Sequence, residues 1–218
     1  MKLKSTEDQK KCALKKYEIV DKELNKTYQT IRKTFSESTK RELKEVQQLW
    51  IGYRDGICEG PMYSPDETGI ESILCKTKTT IERITYLKRV WLSGVPPTDG
   101  LGSYVDGFGG SLKLLRKKSV QEIQFELQVV RGPTAHVGEI GGNWTPTKEG
   151  KWTWASSPGC SKEDPECCLL EFHTIAASRI EVKEIYCSAY RGARASFDGD
   201  YRYEFTEKTL NRMNSVTR

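Results

Sequence analysis

Apolar residues fall at Ala13, Tyr17, Val20, Leu24, Tyr28, Ile31 and Phe35, in steps of four and three. That spacing lines one side of a long amphipathic helix, and the Lys- and Glu-rich remainder is its solvated side. Ser36-Glu37-Ser38-Thr39 interrupts the stripe. Thr39 followed by Glu42 predicts a capping box for a second helix, with Leu43, Val46, Trp50 and Tyr53 on its apolar side. Gly56 and the stretch 59–65 end that helix. Ser64-Pro65-Asp66-Glu67 reads as another start, with a cap, a proline in the first turn and an acid three residues after the cap, although Gly69 blurs the boundary. The third helix carries Ile73, Thr77, Ile81, Ile84, Leu87 and Trp91 on one face. Three helices joined by short links predict an up-down-up bundle.

From Ser111 the period drops to two. Leu112/Leu114, Ile123/Phe125/Leu127/Val129, Leu170/Phe172, Ile180/Val182 and Tyr201/Tyr203/Phe205 alternate with polar residues, separated by turn clusters such as Arg131-Gly-Pro-Thr and Asp198-Gly-Asp. Many short strands so punctuated predict a small antiparallel β sandwich or barrel, making the chain α+β. Residues 93–110 hold two prolines and six glycines and read as a linker or irregular loop. The expected organisation is a helical domain at 1–93, a linker at 94–110, a β domain at 111–209 and a frayed tail at 210–218.

The chain has 218 residues, enough for one large or two small cores. Hydrophobic residues make up 36% and charged residues 30%, with a mean hydropathy of −0.63. No run approaches the roughly 20 apolar residues of a membrane span. The net charge of +5 lies in the first part. Residues 1–93 carry 19 Lys and Arg against 14 Asp and Glu, and residues 94–218 carry 16 of each. Six lysines between residues 2 and 16 invite a nucleic-acid or anionic-lipid reading. They are interleaved with Glu7, Asp8 and the helix's apolar stripe, so a solvated helix face is expected and no nucleic-acid partner.

Seven cysteines, at 12, 58, 75, 160, 167, 168 and 187, are many for a cytosolic protein of this size. Paired Cys-x-x-Cys knuckles are absent and the histidines are His136 and His173, so no metal site is expected. A disulfide framework in an oxidising compartment fits better. The sequence opens Met1-Lys-Leu-Lys into Ser-Thr-Glu-Asp without an apolar stretch, so export would need a signal segment outside it. In an up-down-up bundle Cys12, Cys58 and Cys75 share one pole. Cys58–Cys75 closes a Gly- and Pro-containing loop and is the expected pair, with Cys12–Cys58 its competitor and Cys12 the odd thiol. Alternation puts Cys168 in register with Leu170 and Phe172 and predicts Cys168–Cys187. Adjacent Cys167 faces the other way, which predicts a local Cys160–Cys167 bridge.

The helical part carries a specific series: Cys12, Leu24-Asn25-x-x-Tyr28, Gln47-x-x-Trp50-x-x-x-Arg54-Asp55-x-x-Cys58, and Cys75-x-x-x-Thr79-x-x-x-Arg83-x-x-x-Leu87. Over about residues 10–90 this resembles the N-terminal domain of the LprI-type lysozyme-inhibitor family, small secreted or lipid-anchored bacterial envelope proteins. The resemblance implies a periplasmic or secreted protein that blocks the glycan cleft of a muramidase. Members commonly carry a further cysteine about a dozen residues before the position of Cys12, a place at or before Met1, which leaves Cys12 without its partner. The family's glycine pair before the third helix is reduced to Gly69. A looser likeness to C-terminal extensions of such proteins runs through Cys168-x-Leu170-x-Phe172, Cys187 and Gly192-x-x-Ala195-x-Phe197-Asp198-Gly199-x-Tyr201.

Gln47, Trp50, Arg54, Asp55 and Arg83 are the candidate partner-binding residues. Arg54 follows Trp50 by four, so its guanidinium can stack on the indole. Asp55 near a helix end calls for a cation such as Arg83. The same residues can instead clasp helices two and three, which the cost of an unpartnered part-buried charge favours. His136 lies in a Gly-rich stretch, 132–142, that reads as a loop; neither histidine sits in a nucleophile motif, and Asp106-Gly-Phe-Gly-Gly lacks the Lys-Ser/Thr of a phosphate loop. Binding without catalysis and without a cofactor is therefore expected. The partner is a lysozyme or, alternatively, another envelope or secretion component held by a non-inhibitory interaction module.

Overall fold

The structure, a computed structural model, describes residues 5–59, 67–91, 100–116, 122–131, 136–144 and 150–205. The chain forms two compact units, residues 1–92 and 93–218. The calls that fall on 210–218 and on Ser64–Asp66 lie outside the described residues.

The first unit holds α1 (Thr6–Lys33), α2 (Glu37–Glu59) and α3 (Ile70–Tyr86), the last continued by a π-helical turn at Leu87–Trp91. Ser5 caps α1 by accepting the Asp8 N–H, and Glu7 and Asp8 at its start, with Arg32 and Lys33 at its end, complement the helix dipole. The second helix starts earlier than the Thr39/Glu42 pair predicts. Ser36 lies just ahead of it, its Oγ accepting from the Thr39 N–H at 3.4 Å. The third helix starts later, after Gly69 in the left-handed region. Helix α3 packs along both α1 and α2. Its buried stripe is Thr80, Arg83, Ile84, Leu87 and Trp91, whereas Ile81, expected inside, is exposed. One residue turns the helix by about 100°, so burying Thr80 and Arg83 rotates Ile81 outward.

The second unit is an eight-stranded antiparallel sheet curled into a nearly closed barrel: β1 (Gly102–Val105), β2 (Gly110–Arg116), β3 (Ile123–Arg131), β4 (His136–Trp144), β5 (Lys151–Ala155), β6 (Leu169–Ala176), β7 (Arg179–Ile185) and β8 (Gly199–Tyr203). Strand order is β4-β3-β2-β1-β8-β7-β6-β5. Neighbours in sequence thus pair, except at β4 and β5, while the first and last strands, β1 and β8, pair through Tyr104↔Tyr203. Alternate residues fill the interior, among them Leu112, Phe125, Leu127, Phe172, Val182 and Tyr201. Trp152 stacks on Phe172 with ring centroids 3.5 Å apart, and Phe125 meets both rings.

Two glycine-rich stretches expected to be loops are structural. Part of the expected linker forms β1 and the turn into β2. Tyr104 is buried there, its hydroxyl donating to the carbonyls of Gly100 and Ala177. Asp106 organises the turn by accepting the N–H groups of Phe108 and Gly110 at 2.8 Å each and pairing with Arg131. Gly109 has φ +92°, and its carbonyl accepts the Val130 N–H at 2.9 Å. The stretch containing Gly138, Gly141 and Gly142, expected to be a loop around His136, is β4. A Cβ at Gly142 would overlap the Trp154 indole, which lies along the β4–β5 seam.

Candidate functional site

The five candidate residues come together in the helical unit, four of them buried. On α2, Gln47, Trp50 and Arg54 follow the buried stripe Leu43-Gln47-Trp50-Arg54-Cys58, which repeats in steps of four and three. Arg83 of α3 is 1% exposed. Its Nε donates to Gln47 Oε1 at 3.0 Å and its Nη2 to the Val46 carbonyl at 3.3 Å. Its guanidinium lies 5.3 Å from the Trp50 ring centre and 4.6 Å from that of Tyr86. Arg54 covers Trp50 at the same 5.3 Å. Trp50 is thus held by two cations, a contact that strengthens as water is excluded.

Arg54 donates through Nε and Nη2 to Asp55 Oδ1 at 2.9 and 2.8 Å and reaches Asp21 of α1 at 4.0 Å. Asp55, with 40% of its side chain exposed, also lies 3.8 Å from Lys76 of α3. Its cations are therefore Arg54 and Lys76; the partner suggested from sequence, Arg83, is engaged with Gln47. The network ties α2 to both neighbouring helices. It is a clasp, and of the five side chains Asp55 is the one that reaches solvent.

Disulfides frame both units. Cys58–Cys75 joins the end of α2 to the first turns of α3, with Cα atoms 5.7 Å apart. Cys160–Cys167 closes a short loop between β5 and β6, and Cys168–Cys187 ties the start of β6 to the segment after β7. Cys12 is exposed and outside these bridges.

In the β unit the described core side chains pack against one another, and grooves lie on the outer face. Two shallow grooves of about 470 and 510 Å³ share Glu171, Glu181 and Lys183 on the outer face of β6 and β7. Their charges are largely paired: Lys162 with Glu171, Arg179 and Arg202 with Asp200, and Arg191 with Glu184. His173 points outward on β6, 3.9 Å from Glu181. Among the described residues no group of three or more His, Cys, Asp and Glu is placed to hold a metal ion, and no helix is long and apolar enough to cross a membrane.

One further arrangement escaped the strand pattern. The segment 186–198 crosses one end of the barrel. Cys187 is bridged to β6, Tyr190 meets Trp154 of β5 edge-on at 6.3 Å, and Arg191 forms a β-bridge with Gly138 of β4. Gly192 N–H donates to the Val137 carbonyl at 2.9 Å, and Arg131 of β3 donates to the Ser196 carbonyl. Ala195 and Phe197 plug the core, and Glu184 accepts both Arg191 Nε and the Phe197 N–H. The Gly192-x-x-Ala195-x-Phe197-Asp198-Gly199-x-Tyr201 series was the sequence signal for this cap.

Comparison with known proteins agrees with the helical series. The family profile of the lysozyme inhibitor LprI matches residues 2–87. An uncharacterised protein of Rhizobium meliloti (strain 1021) is 32% identical over 95 residues, covering 36% of this chain and 68% of that protein. No solved structure matches. The bridged helical unit with its Trp50–Arg83 clasp thus lies within a recognised protein family, and the chain belongs to the family described as lysozyme inhibitor LprI.

Proposed function

We propose that this chain is an exported envelope protein that inhibits a lysozyme by covering its glycan cleft. The observation that carries the reading is the LprI match over residues 2–87, which coincides with the disulfide-bridged helical unit. Three bridges agree with a periplasmic or secreted location. They also agree with a rigid binder, since association costs less when the binding surface is ordered beforehand. The match to an inhibitor family supports function by binding, without a chemical step.

The buried clasp of Gln47, Trp50, Arg54 and Arg83 supports the surface and does not itself touch the partner in this reading. The +5 charge gives no long-range attraction to a basic lysozyme, so recognition depends on local complementarity. A non-inhibitory interaction module is the second reading. It is favoured by Leu74 and Ile81, exposed seven residues apart on α3, with Leu49 exposed on α2. A cell-wall turbidity assay separates the two. An inhibitor slows clearing by lysozyme as the oxidised chain approaches equimolar amounts, whereas an unchanged rate at large excess would leave only the interaction module.

A further inference from the structure

Helix α1 carries five acids and eight basic residues, and the fold sorts them. Glu7 pairs with Lys11 on the same helix. Asp21 faces Arg54 of α2, and Glu23 pairs with Lys88 in the turn that continues α3. The lysines left over do not scatter. At about 100° per residue, Lys15, Lys22, Lys26 and Lys33 fall within an arc of about 40°, nearly opposite the buried Ala13, Leu24 and Ile31. All four are exposed, and none makes an ion pair among the described residues. From Lys15 to Lys33 the arc holds no acid, Glu18 lying at its edge, and along the axis the row runs about 27 Å. Ile19, 61% exposed, stands beside the row one turn from both Lys15 and Lys22.

We propose that this face of α1, formed by Lys15, Lys22, Lys26 and Lys33 beside Ile19, docks on an anionic lipid bilayer. A straight row of charge on a convex helix can meet a flat surface along its whole length. Lysine is a hydrated point charge, suited to the diffuse potential of lipid headgroups. The fixed phosphates of a nucleic acid are best gripped by arginine forks, and its unpaired bases by aromatic rings. The row holds neither. Ile19 adds an aliphatic side chain that can settle among headgroups and has no use against a hydrophilic polyanion. Each lysine close to an anionic bilayer raises partitioning about fivefold, so the four together raise it on the order of several hundredfold at low salt. Docking of this kind does not require that the chain inhibit a lysozyme.

The test is co-sedimentation of the full-length oxidised chain with vesicles of phosphatidylglycerol and phosphatidylcholine in equal parts, with pure phosphatidylcholine as the neutral control. The parent should partition onto the anionic vesicles at low salt and leave them as salt is added. Lys15→Gln, Lys22→Gln, Lys26→Gln and Lys33→Gln should each lower the partition coefficient about fivefold, and together at least about a hundredfold. Helical circular dichroism should not change, because exposed substitutions of this kind seldom disturb a fold. A charge-matched variant off the row, combining Lys16→Gln, Arg41→Gln, Lys44→Gln and Lys78→Gln at exposed positions, should lose less than about tenfold. Equal losses in the two combined variants would overturn the row as the docking face, since net charge alone would then account for binding. A parent that stays in solution with anionic vesicles at low salt, whether or not duplex DNA retains it, would overturn the bilayer as the partner.

Discussion

Replacing Cys58 or Cys75 with serine opens a bridge that spans 17 residues of sequence between α2 and α3. In the chain-entropy account, closing a loop of that length restricts the unfolded chain by about 10 cal/mol/K, so the bridge contributes about 3 kcal/mol at 25 °C. Cys58 is fully buried, so serine also places a hydroxyl where a sulfur sat. For a helical unit of this size each kcal/mol moves the midpoint by roughly 4–8 °C, giving a drop on the order of 10–20 °C. Cys12 is exposed and outside the bridges, so Cys12→Ser should leave the midpoint within about 1 °C. The assay is calorimetry without reductant, following the transition of the helical unit, with helical circular dichroism to assign it. A Cys58→Ser variant that melts with the parent, or a Cys12→Ser variant that melts far below it, would refute the account of how this unit is stapled.

Gln47→Ala removes the acceptor of a buried guanidinium and should cost about 1–3 kcal/mol in urea unfolding, while Arg83→Lys, which cannot reproduce the planar fork between Trp50 and Tyr86, should not restore an Arg83→Ala loss. Asp106→Ala should destabilise the β unit by about 3 kcal/mol, because it leaves the Phe108 and Gly110 N–H groups and Arg131 without their shared acceptor; a loss under 1 kcal/mol would show the turn is held otherwise. Burial, followed by the Asp106 charge, raises the pKa of the Tyr201 phenol above its ordinary value. The folded state then holds that proton where the unfolded chain releases it, so the contribution to stability is full below about pH 10 and declines as pH rises further. Tyr201→Phe should show a shallower alkaline decline than the parent, and identical slopes would exclude this source.

The helices were legible because their apolar stripes are long and regular, and β2, β3, β6, β7 and β8 because Leu, Ile, Val, Phe and Tyr alternate along them. Strands β1, β4 and β5 were not. Gly102–Val105 contributes one fully buried side chain, Tyr104, and gains its place from partners on both sides, β2 and β8. In β4 the alternation is erased by glycine, since Gly138 lies against Arg191 and Phe197 and Gly142 against Trp154, where a side chain has no room. Those neighbours are distant in sequence, so the demand for glycine could not be read from β4 itself. At the candidate site the residues were legible as a group, but their burial was not. Apolar periodicity placed Ile81 inside and had no means of placing Arg83 there, because the guanidinium's acceptor, Gln47, lies 36 residues earlier on another helix.

The central claim is that the chain occupies the glycan cleft of a lysozyme. Steady-state hydrolysis of a soluble chitin oligosaccharide by lysozyme, measured at increasing concentrations of the oxidised chain, tests this most directly. Occupation of the cleft predicts an apparent KM that rises with the chain's concentration while kcat stays constant. A lowered kcat at unchanged KM would place the chain away from the cleft, and unchanged kinetics at a large molar excess would contradict the claim outright.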